Sequence, residues 1–461
     1  MGSPDLGTPD RTLTGHFDRA HERRYAHVSF DVPRGVRQLH VRYRYTDRID
    51  SDPMLTGGNT LDIGLFDERG IAPGSPGFRG WSGSNKLEFT IDEQWATPPY
   101  AAGPIGAGTW HVLLGPYKVG PRGCDYTVEI WINAAIAPER RGTSASRGAD
   151  RRPPPSARDG WIRGDLHCHT LYSDGDSWPA EMLRAAADAD LEFLGVTDHN
   201  NIGHQTEYGA GGSGLPLVVP GVEVTTYGGH WNAWGTDRWW EFREPDARAV
   251  EATMREAAAA GALVCVNHPK PLGPPWEYAD VSGFHAIEVW NGPWVRLNSI
   301  ALAFWEERLR RGERIAAVGG SDTHYLKTPD PDPRHSPRLG SPTTFVEAGE
   351  RPTVASILAA LRDGRSFVSA SPRGPQLYLT PDAARSGRVQ VEVRDGEGCA
   401  LVVLSSAGVV HSAAVDNPTW DRSIEMPRGA PYMRAQLMDA VGEVRALTNP
   451  VWAEQLWAIR N

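Results

Sequence analysis

Residues 164–170 read Gly164-Asp165-Leu166-His167-Cys168-His169-Thr170, and Ser173-Asp174-Gly175 follows closely. On an extended strand, residues two apart point the same way, so His167 and His169 can reach one ion while Cys168 turns away. With 15 histidines in the chain, one H-x-H pair arises readily by chance. Its company gives it force. Thr197-Asp198-His199-Asn200 ends the apolar run 191–196, and Gly221-Val222-Glu223-Val224 ends another, with His230 downstream. Asn267-His268-Pro269 follows Leu263–Val266, and Ser321-Asp322-Thr323-His324 follows 315–320, again with an i, i+2 pair. Each cluster stands where a buried strand ends, the edge at which parallel α/β folds place their sites. For one cluster alone, a hydrogen-bonded core histidine or a solvated loop is an equal account. For five at successive strand ends, a common site is the better one.

The segment around these clusters, residues 160–373, alternates short apolar runs with helical stretches. Residues 191–196, 217–224, 263–266, 286–290 and 315–318 read as strands buried on both faces. Pro179–Ala189, Ala247–Ala260 and Val295–Arg311 read as helices, the first with Pro179 in its opening turn and Ser177 as its cap. Strand–helix alternation predicts a parallel α/β barrel or open sheet. Residues 1–136 have a different texture. Val28, Phe30 and Val32 alternate with polar neighbours, as do Leu39, Val41, Tyr43 and Tyr45, then Leu61, Ile63 and Leu65, then Tyr126, Val128, Ile130 and Ile132. Period two with Gly- and Pro-rich turns predicts an antiparallel β-sandwich. Residues 137–159, rich in Arg, Ser and Gly and containing Pro153-Pro154-Pro155, read as a linker. Residues 374–461 return to alternation at Val389, Val391 and Val393, which predicts a smaller C-terminal sandwich.

The chain has 461 residues, 57 acidic against 47 basic side chains and a formal charge of -10. Its length calls for two or three domains. The acidic balance argues against non-specific nucleic-acid binding, which needs a basic surface. No apolar run is long enough to cross a bilayer, so no membrane partner is expected. Met1 to Phe17 lacks the apolar core of a secretory leader. Cys124, Cys168, Cys265 and Cys399 are scattered, which suits a reducing compartment, and the cytoplasm is the expected location. Oligomeric state has no signature here.

Imidazole and carboxylate suit Zn²⁺, Mn²⁺ or Fe²⁺ and need no thiolate. A carboxylate shared between two cations offsets their repulsion, and water held between them loses a proton near neutral pH to become a nucleophile. The order H-x-H, Asp, D-H, Glu, H, H-P, D-x-H is similar to that of the PHP superfamily, named for polymerase and histidinol phosphatase. The match runs over nearly all of Trp161 to Pro372. The whole chain looks most like the branch with an N-terminal β domain that includes carbaryl hydrolases. The resemblance implies a distorted (β/α)7 TIM-like barrel with two or three divalent ions, Zn²⁺ or Mn²⁺ first. It assigns His167, His169, Glu223 and Asp322 to one ion. Glu223 bridges to a second ion held also by His230 and His268, and Asp174, His199 and His324 hold a third. His204 competes for the place given to His230.

Asp198 and Asp165 neighbour these ligands and can either orient a bound imidazole or protonate a leaving group. Lys270 is a candidate contact for a substrate anion, against the alternative of a solvated lysine. Tyr227, Trp231, Trp234, Trp239, Trp240, Trp276, Tyr278, Trp290 and Trp294 read as loop aromatics for an aryl or nucleoside group, or as seals against the N-terminal sandwich. The first functional reading is a phosphoesterase acting on a small phosphate ester. The second is a carboxylic or carbamate ester hydrolase with an aryl leaving group. A non-catalytic, metal-stabilised binding module is the third, and the full ligand set speaks against it. Proofreading beside a polymerase is disfavoured by the acidic charge.

Overall fold

The computed structural model of the chain describes residues 6–138, 156–208, 214–243, 246–271, 273–328 and 336–457. Most of the expected linker, residues 139–155, lies outside the described residues. The N-terminal part holds β1 (Arg11–Phe17), β2 (Ala26–Val32), β3 (Gln38–Tyr45) and β4 (Thr60–Phe66). β5 (Phe78–Gly83), β6 (Glu88–Asp92), β7 (Gly108–Lys118) and β8 (Cys124–Ile132) complete it. They form two four-stranded sheets, ordered β1-β8-β3-β6 and β2-β7-β4-β5, with antiparallel neighbours. Alternation fills the layer between: Leu39 and Val41 of β3, Leu61, Ile63 and Leu65 of β4, and Val128 and Ile130 of β8 share one core. Every residue of β4 is buried. Its second face meets the central part, where Phe66, with Trp81 and Leu113, joins the core containing Trp231, Trp240 and Phe242.

The central part holds β9 (Trp161–Asp165), β10 (Phe193–Val196), β11 (Leu217–Thr226), β12 (Gly229–Trp234) and β13 (Leu263–Val266). β14 (Ala286–Asn291), β15 (Ala316–Gly320), β16 (Thr343–Glu347) and β17 (Ser366–Ser369) follow. β9, β10 and β11 run parallel, and so do β13, β14 and β15. β12 opposes both of its neighbours, and β16 opposes β9 and β17. The sheet is therefore mixed, where the sequence pattern pointed to a parallel one. The stretch expected as an aromatic loop after Glu223 is β12 itself. Tyr227-Gly228 turns the chain and Gly229, at φ +140°, starts the return strand.

Four α-helices lie between these strands among the described residues: α1 (Pro179–Asp188), α2 (Ala247–Ala259), α3 (Asn298–Arg310) and α4 (Val354–Arg362). α1 buries Met182, Leu183 and Ala186 against Leu194 and Val196 of β10. Its capping position is Trp178 rather than Ser177, whose hydroxyl donates to Asp176 instead. Glu181 supplies the cap by accepting from Trp178 N at 2.8 Å. No described helix is long and apolar enough to cross a membrane.

The C-terminal part holds β18 (Gln376–Pro381), β19 (Arg388–Arg394), β20 (Ala400–Ser405), β21 (Gly408–Ala414) and β22 (Thr419–Glu425). β23 (Tyr432–Met438) and β24 (Val444–Thr448) follow. β18, β19 and β22 form a sheet of their own. It covers β20 and β23 over a core of Val389, Val391, Leu401, Val403, Ala435 and Leu437. That second layer is not separate from the central part, because β24 pairs with β17 and extends the central sheet.

β15 packs beside β17, yet no backbone ladder joins them. Side chains satisfy the buried peptide groups. Asn449 Oδ1 accepts from Ala317 N at 2.6 Å, and its Nδ2 donates to Ala317 O at 3.0 Å and Ser366 O at 3.1 Å. Thr344 Oγ1 accepts from Gly319 N at 3.0 Å and donates to Gly319 O at 2.8 Å. Asn449→Ala leaves both peptide groups of Ala317 buried without partners. At about 1–3 kcal/mol for each unsatisfied group, urea unfolding is expected to lose about 2–6 kcal/mol. A loss under about 0.5 kcal/mol, the size of an ordinary surface change, would show that this seam does not depend on Asn449.

Candidate metal centre

The strand ends keep pairing beyond their regular ladders, and this lacing carries the chemistry. His169 N donates to Thr323 O at 2.9 Å and Asp322 N to His167 O at 2.8 Å, so the first and last clusters lie side by side. On the other flank Thr197 N donates to Cys168 O at 3.0 Å and Asn200 N to Glu223 O at 2.8 Å. The β11–β12 hairpin sets His230 opposite Thr225, and Asn267 N donates to His230 O at 3.0 Å, which brings His268 alongside. The backbone is strained here, with φ +56° at Asp322, +49° at Asn200 and +30° at His268. Gly320 admits no side chain, because a Cβ would lie 2.4 Å from His167 Cβ.

His167 Nε2 and His169 Nε2 face each other at 3.1 Å. Each lies 3.4 Å from Glu223 Oε2, and Asp322 Oδ1 lies 3.4 and 3.1 Å from them respectively. Glu223 Oε1 lies 3.2 Å from His230 Nδ1 and 3.3 Å from His268 Nε2, so one carboxylate touches both sides of the hollow. Asp174 Oδ1 lies 3.6 Å from His199 Nε2 and 3.3 Å from His324 Nε2. Among the described residues, atoms close enough to share an ion gather as His167–His169–Asp322, as His199–Glu223–His230, and as His169–Asp174–His199–His324. The nine residues expected as ligands therefore lie together. Their grouping differs from the pattern the resemblance implies, since His169 joins the Asp174 group and Glu223 falls outside the group of His167, His169 and Asp322. His199 also reaches Glu223, with Nδ1 2.9 Å from Oε2, and His268 stands outside the three groups although it touches Glu223.

Glu223 Oε2 and Asp174 Oδ1 are buried and accept no hydrogen bond. A carboxylate oxygen in that state is costly, and a divalent cation among these nitrogen and oxygen atoms relieves the cost. Three of the far ring nitrogens have their own partners. His167 Nδ1 meets Glu288 Oε1 at 3.0 Å, His169 Nδ1 meets Ser173 Oγ at 3.3 Å, and His324 Nδ1 donates to Asp322 O at 2.9 Å. A proton held on Nδ1 leaves the Nε2 lone pair aimed into the hollow, which is how metal-binding histidines are oriented. The residues fit divalent cations.

Electrostatics agree with that fit. Burial opposes a charge on His167, but Glu288, Glu223 and Asp322 hold its pKa well above the usual imidazole value. Burial likewise opposes His324, and Asp174 lifts it to about 10. Burial, with His324 and His199 nearby, pushes His169 down to about 4. Glu223 stays far below the usual carboxylate range against burial, because His167, His199 and His230 surround it. Such a field of carboxylates attracts positive charge, which bound cations supply without protonating the ligands.

The other expected residues have different surroundings. Asp198 accepts from Thr170 N at 2.7 Å, Thr170 Oγ1 at 2.6 Å and Ser173 Oγ at 2.6 Å. It therefore steadies the Ser173 that meets His169, and it faces away from the cavity. His204 lies 3.0 Å from Asp198 and joins none of the three groups. Asp165 accepts from His167 N, Ser321 N and Gly340 N at 2.8–3.1 Å, tying three segments together. Lys270 is neither solvated nor turned to a substrate. Its buried Nζ donates to Asn291 O and Asn298 Oδ1, both at 2.8 Å, and fastens β14 to α3, while burial pushes its pKa down to about 7. Glu288 is the residue that sequence reasoning missed. The signal was an acid inside the buried run Ala286-Ile287-Glu288-Val289-Trp290, where an unpaired carboxylate would be unfavourable.

The hollow opens into a cavity of about 620 Å³. Its opposite wall is the N-terminal sandwich, through Asp62, Trp81, Asn85 and Tyr117, with Arg48 and Arg296 also lining it. Of the aromatics expected around a pocket, Tyr227 lines this cavity. Trp231, Trp234, Trp240, Tyr278 and Trp290 are core, and Trp239, Trp276 and Trp294 pack against core. They seal the fold, as tryptophan does at domain joints. Trp81, Tyr117 and Tyr325 supply aromatic wall in their place.

A stretch of 73 residues is 38% identical to part of an error-prone DNA polymerase of Mycolicibacterium paratuberculosis. It covers 15% of this chain and 7% of that polymerase. Among solved structures, the chain is similar to a two-domain protein of Bacteroides vulgatus described as containing a predicted PHP-like metal-dependent phosphoesterase. That likeness has 19% identity and a TM-score of 0.37 over 66% of this chain and 100% of that one. An amidohydrolase of Chromobacterium violaceum, with bound sulfate and no metal, is similar at 19% identity and a TM-score of 0.26 over 38% of this chain and 91% of that one. No family model matches the chain.

Glu288→Gln keeps the shape and removes the carboxylate that meets His167. Loss of such an outer partner typically costs about 10–100-fold in metal affinity, and that fall is expected in competition against a graded chelator. An unchanged affinity would remove Glu288 from the account of the site.

Proposed function

We propose that the chain is a metal-dependent hydrolase of the PHP superfamily, and that it acts as a phosphoesterase on a small phosphate ester. The observation that carries this reading is the gathering of nine ligand-type side chains, seven of them lining one cavity, with Glu223 touching His167, His169, His199, His230 and His268. Two or three divalent ions, Zn²⁺ or Mn²⁺ before Fe²⁺, would acidify water there and stabilise charge developing on the attacked oxygen. Glu288, Ser173 and the Asp322 carbonyl hold the imidazoles of His167, His169 and His324 in one tautomer and one direction. Arg48 and Arg296 on the cavity wall offer positive charge to the remaining oxygens of a phosphate. A cavity of about 620 Å³ suits a small molecule. Nucleic acid remains a poor match for a chain of charge -10. The four free cysteines are consistent with a reducing compartment such as the cytoplasm.

A second reading, hydrolysis of a neutral aryl ester or carbamate, is favoured by Trp81, Tyr117 and Tyr325 at the cavity. The two readings separate on a panel of 4-nitrophenyl phosphate, bis(4-nitrophenyl) phosphate and 4-nitrophenyl acetate with the metal-loaded protein. Turnover is expected on a phosphate ester first, and turnover on the acetate alone would favour the second reading. His167→Ala combined with His169→Ala is expected to lower kcat/KM at least about a thousandfold, since the cations supply several kcal/mol to the transition state. Activity that survives this double change would overturn the metal mechanism.

A further inference from the structure

We propose that Asp62, carried by the N-terminal sandwich, is the general acid that protonates the leaving group of the ester split at the metal-ligand wall. The proposal rests on the hydrolase reading above and adds a residue from outside the ligand-bearing part of the chain.

Alternation on β4 puts Asp62 in place. Leu61, Ile63 and Leu65 turn into the sandwich core, so Asp62 turns the other way, toward the central part and its cavity. It is 6% exposed, and its Oδ2 accepts from Tyr227 Oη at 2.8 Å. Among the described residues its second oxygen accepts no hydrogen bond, which leaves that oxygen for a ligand in the cavity. Tyr227 sits in the turn of the hairpin that bears Glu223 and His230, so the carboxyl is held against the ligand-bearing segment.

Elimination points the same way. The carboxyl groups lining the cavity are Asp50, Asp52, Asp62, Asp174, Glu223 and Asp322. Asp174, Glu223 and Asp322 belong to the ion-holding groups. Asp50 and Asp52 are exposed at the rim and accept from backbone N–H groups two residues on. Asp165 and Asp198 face elsewhere. Asp62 alone among these is buried, outside the ligand groups and open on one side.

Burial raises the Asp62 pKa to about 7, against the opposing pull of the Tyr227 hydrogen bond and of His199. Tyr25, Tyr43, Tyr45, Tyr117, Tyr227 and His199 are the titratable groups around it, and Arg48 lines the same cavity. A carboxyl that keeps its proton near neutrality can give it away. In the step, a water oxygen bonds to phosphorus while the bond from phosphorus to the leaving oxygen breaks. The leaving oxygen keeps that electron pair and takes the proton from Asp62, which becomes carboxylate. The proton shed by the attacking water restores the carboxyl through solvent in the cavity.

The test compares two leaving groups on the metal-loaded, full-length chain. 4-Nitrophenolate departs without a proton, whereas the alkoxide of benzyl phosphate needs one. Asp62→Asn is expected to lower kcat/KM on benzyl phosphate by about 10²–10⁴-fold, the usual share of general acid catalysis, and on 4-nitrophenyl phosphate by less than about tenfold. Metal content per chain and the thermal midpoint are expected to match the wild type. Asp62→Glu, which retains a carboxyl, is expected to recover part of the benzyl phosphate activity. Equal losses on both esters, in either variant, would overturn the assignment to Asp62 and leave the hydrolase reading standing. Failure of the loaded wild type to split either ester would overturn that reading and this proposal together.

Discussion

Three carboxylates, buried Glu223 and half-buried Asp174 and Asp322, face the imidazoles of His167, His169, His199, His230, His268 and His324 across gaps of about 3–3.6 Å. That much charge in one hollow is unstable unless something neutralises it. Protons can do so in part, as the raised pKa values of His167 and His324 indicate. Divalent cations would do so without protonating the nitrogens that face the hollow. The surrounding structure meets the same constraint by placing hydrogen-bond partners behind the ligands. Glu288, Ser173, Asn267 and Asn291 each contact a ligand side chain at 2.8–3.3 Å. Strain at Asp322 and His268 is tolerated because the lacing between strand ends overdetermines their backbone.

The sequence was most legible where local pattern and burial coincide. β10, β13 and β14 fall within a residue or two of the apolar runs that announced them, because strands buried on both faces read as continuous hydrophobic stretches. The candidate ligands were legible for a related reason: a histidine or acid directly after such a run has few places to go except the sheet's carboxyl edge. β12 was not legible, since its Trp231 and Trp234 resemble loop aromatics until the Tyr227-Gly228 turn pairs the segment with β11. Lys270 misled because charge usually means solvent. Its partners, Asn291 and Asn298, come from residues more than twenty positions downstream, and nothing local reveals them.

How the three parts join was the least legible aspect. β24 extends the central sheet through β17, yet alternation along β24 is the same whether it pairs within a C-terminal sandwich or beyond it. The seam at Asn449 likewise depends on a side chain replacing a backbone ladder, a choice no periodicity records. β4 is the instructive intermediate case. Its alternation identified which residues enter the sandwich core, and so also which residues point away. What Asp62 and Phe66 point toward required the docking of one part on another.

That docking is mechanically tied to the ligand hairpin. Tyr227 stacks between Tyr25 and Tyr117, with ring centroids at 4.9 and 5.3 Å, and donates to Asp62 from the same turn that separates Glu223 from His230. Arg23 reinforces the joint by pairing with Glu277 at 2.9 Å and by donating to Tyr227 O. Stacked aromatic pairs contribute about 0.5–1.5 kcal/mol each beyond area burial, so this joint is worth more than an incidental contact. A shift of the sandwich would therefore move the turn, and through it the carboxylate that touches both sides of the hollow. The N-terminal part braces the ligands as well as walling the cavity, because one tyrosine belongs to both structures at once.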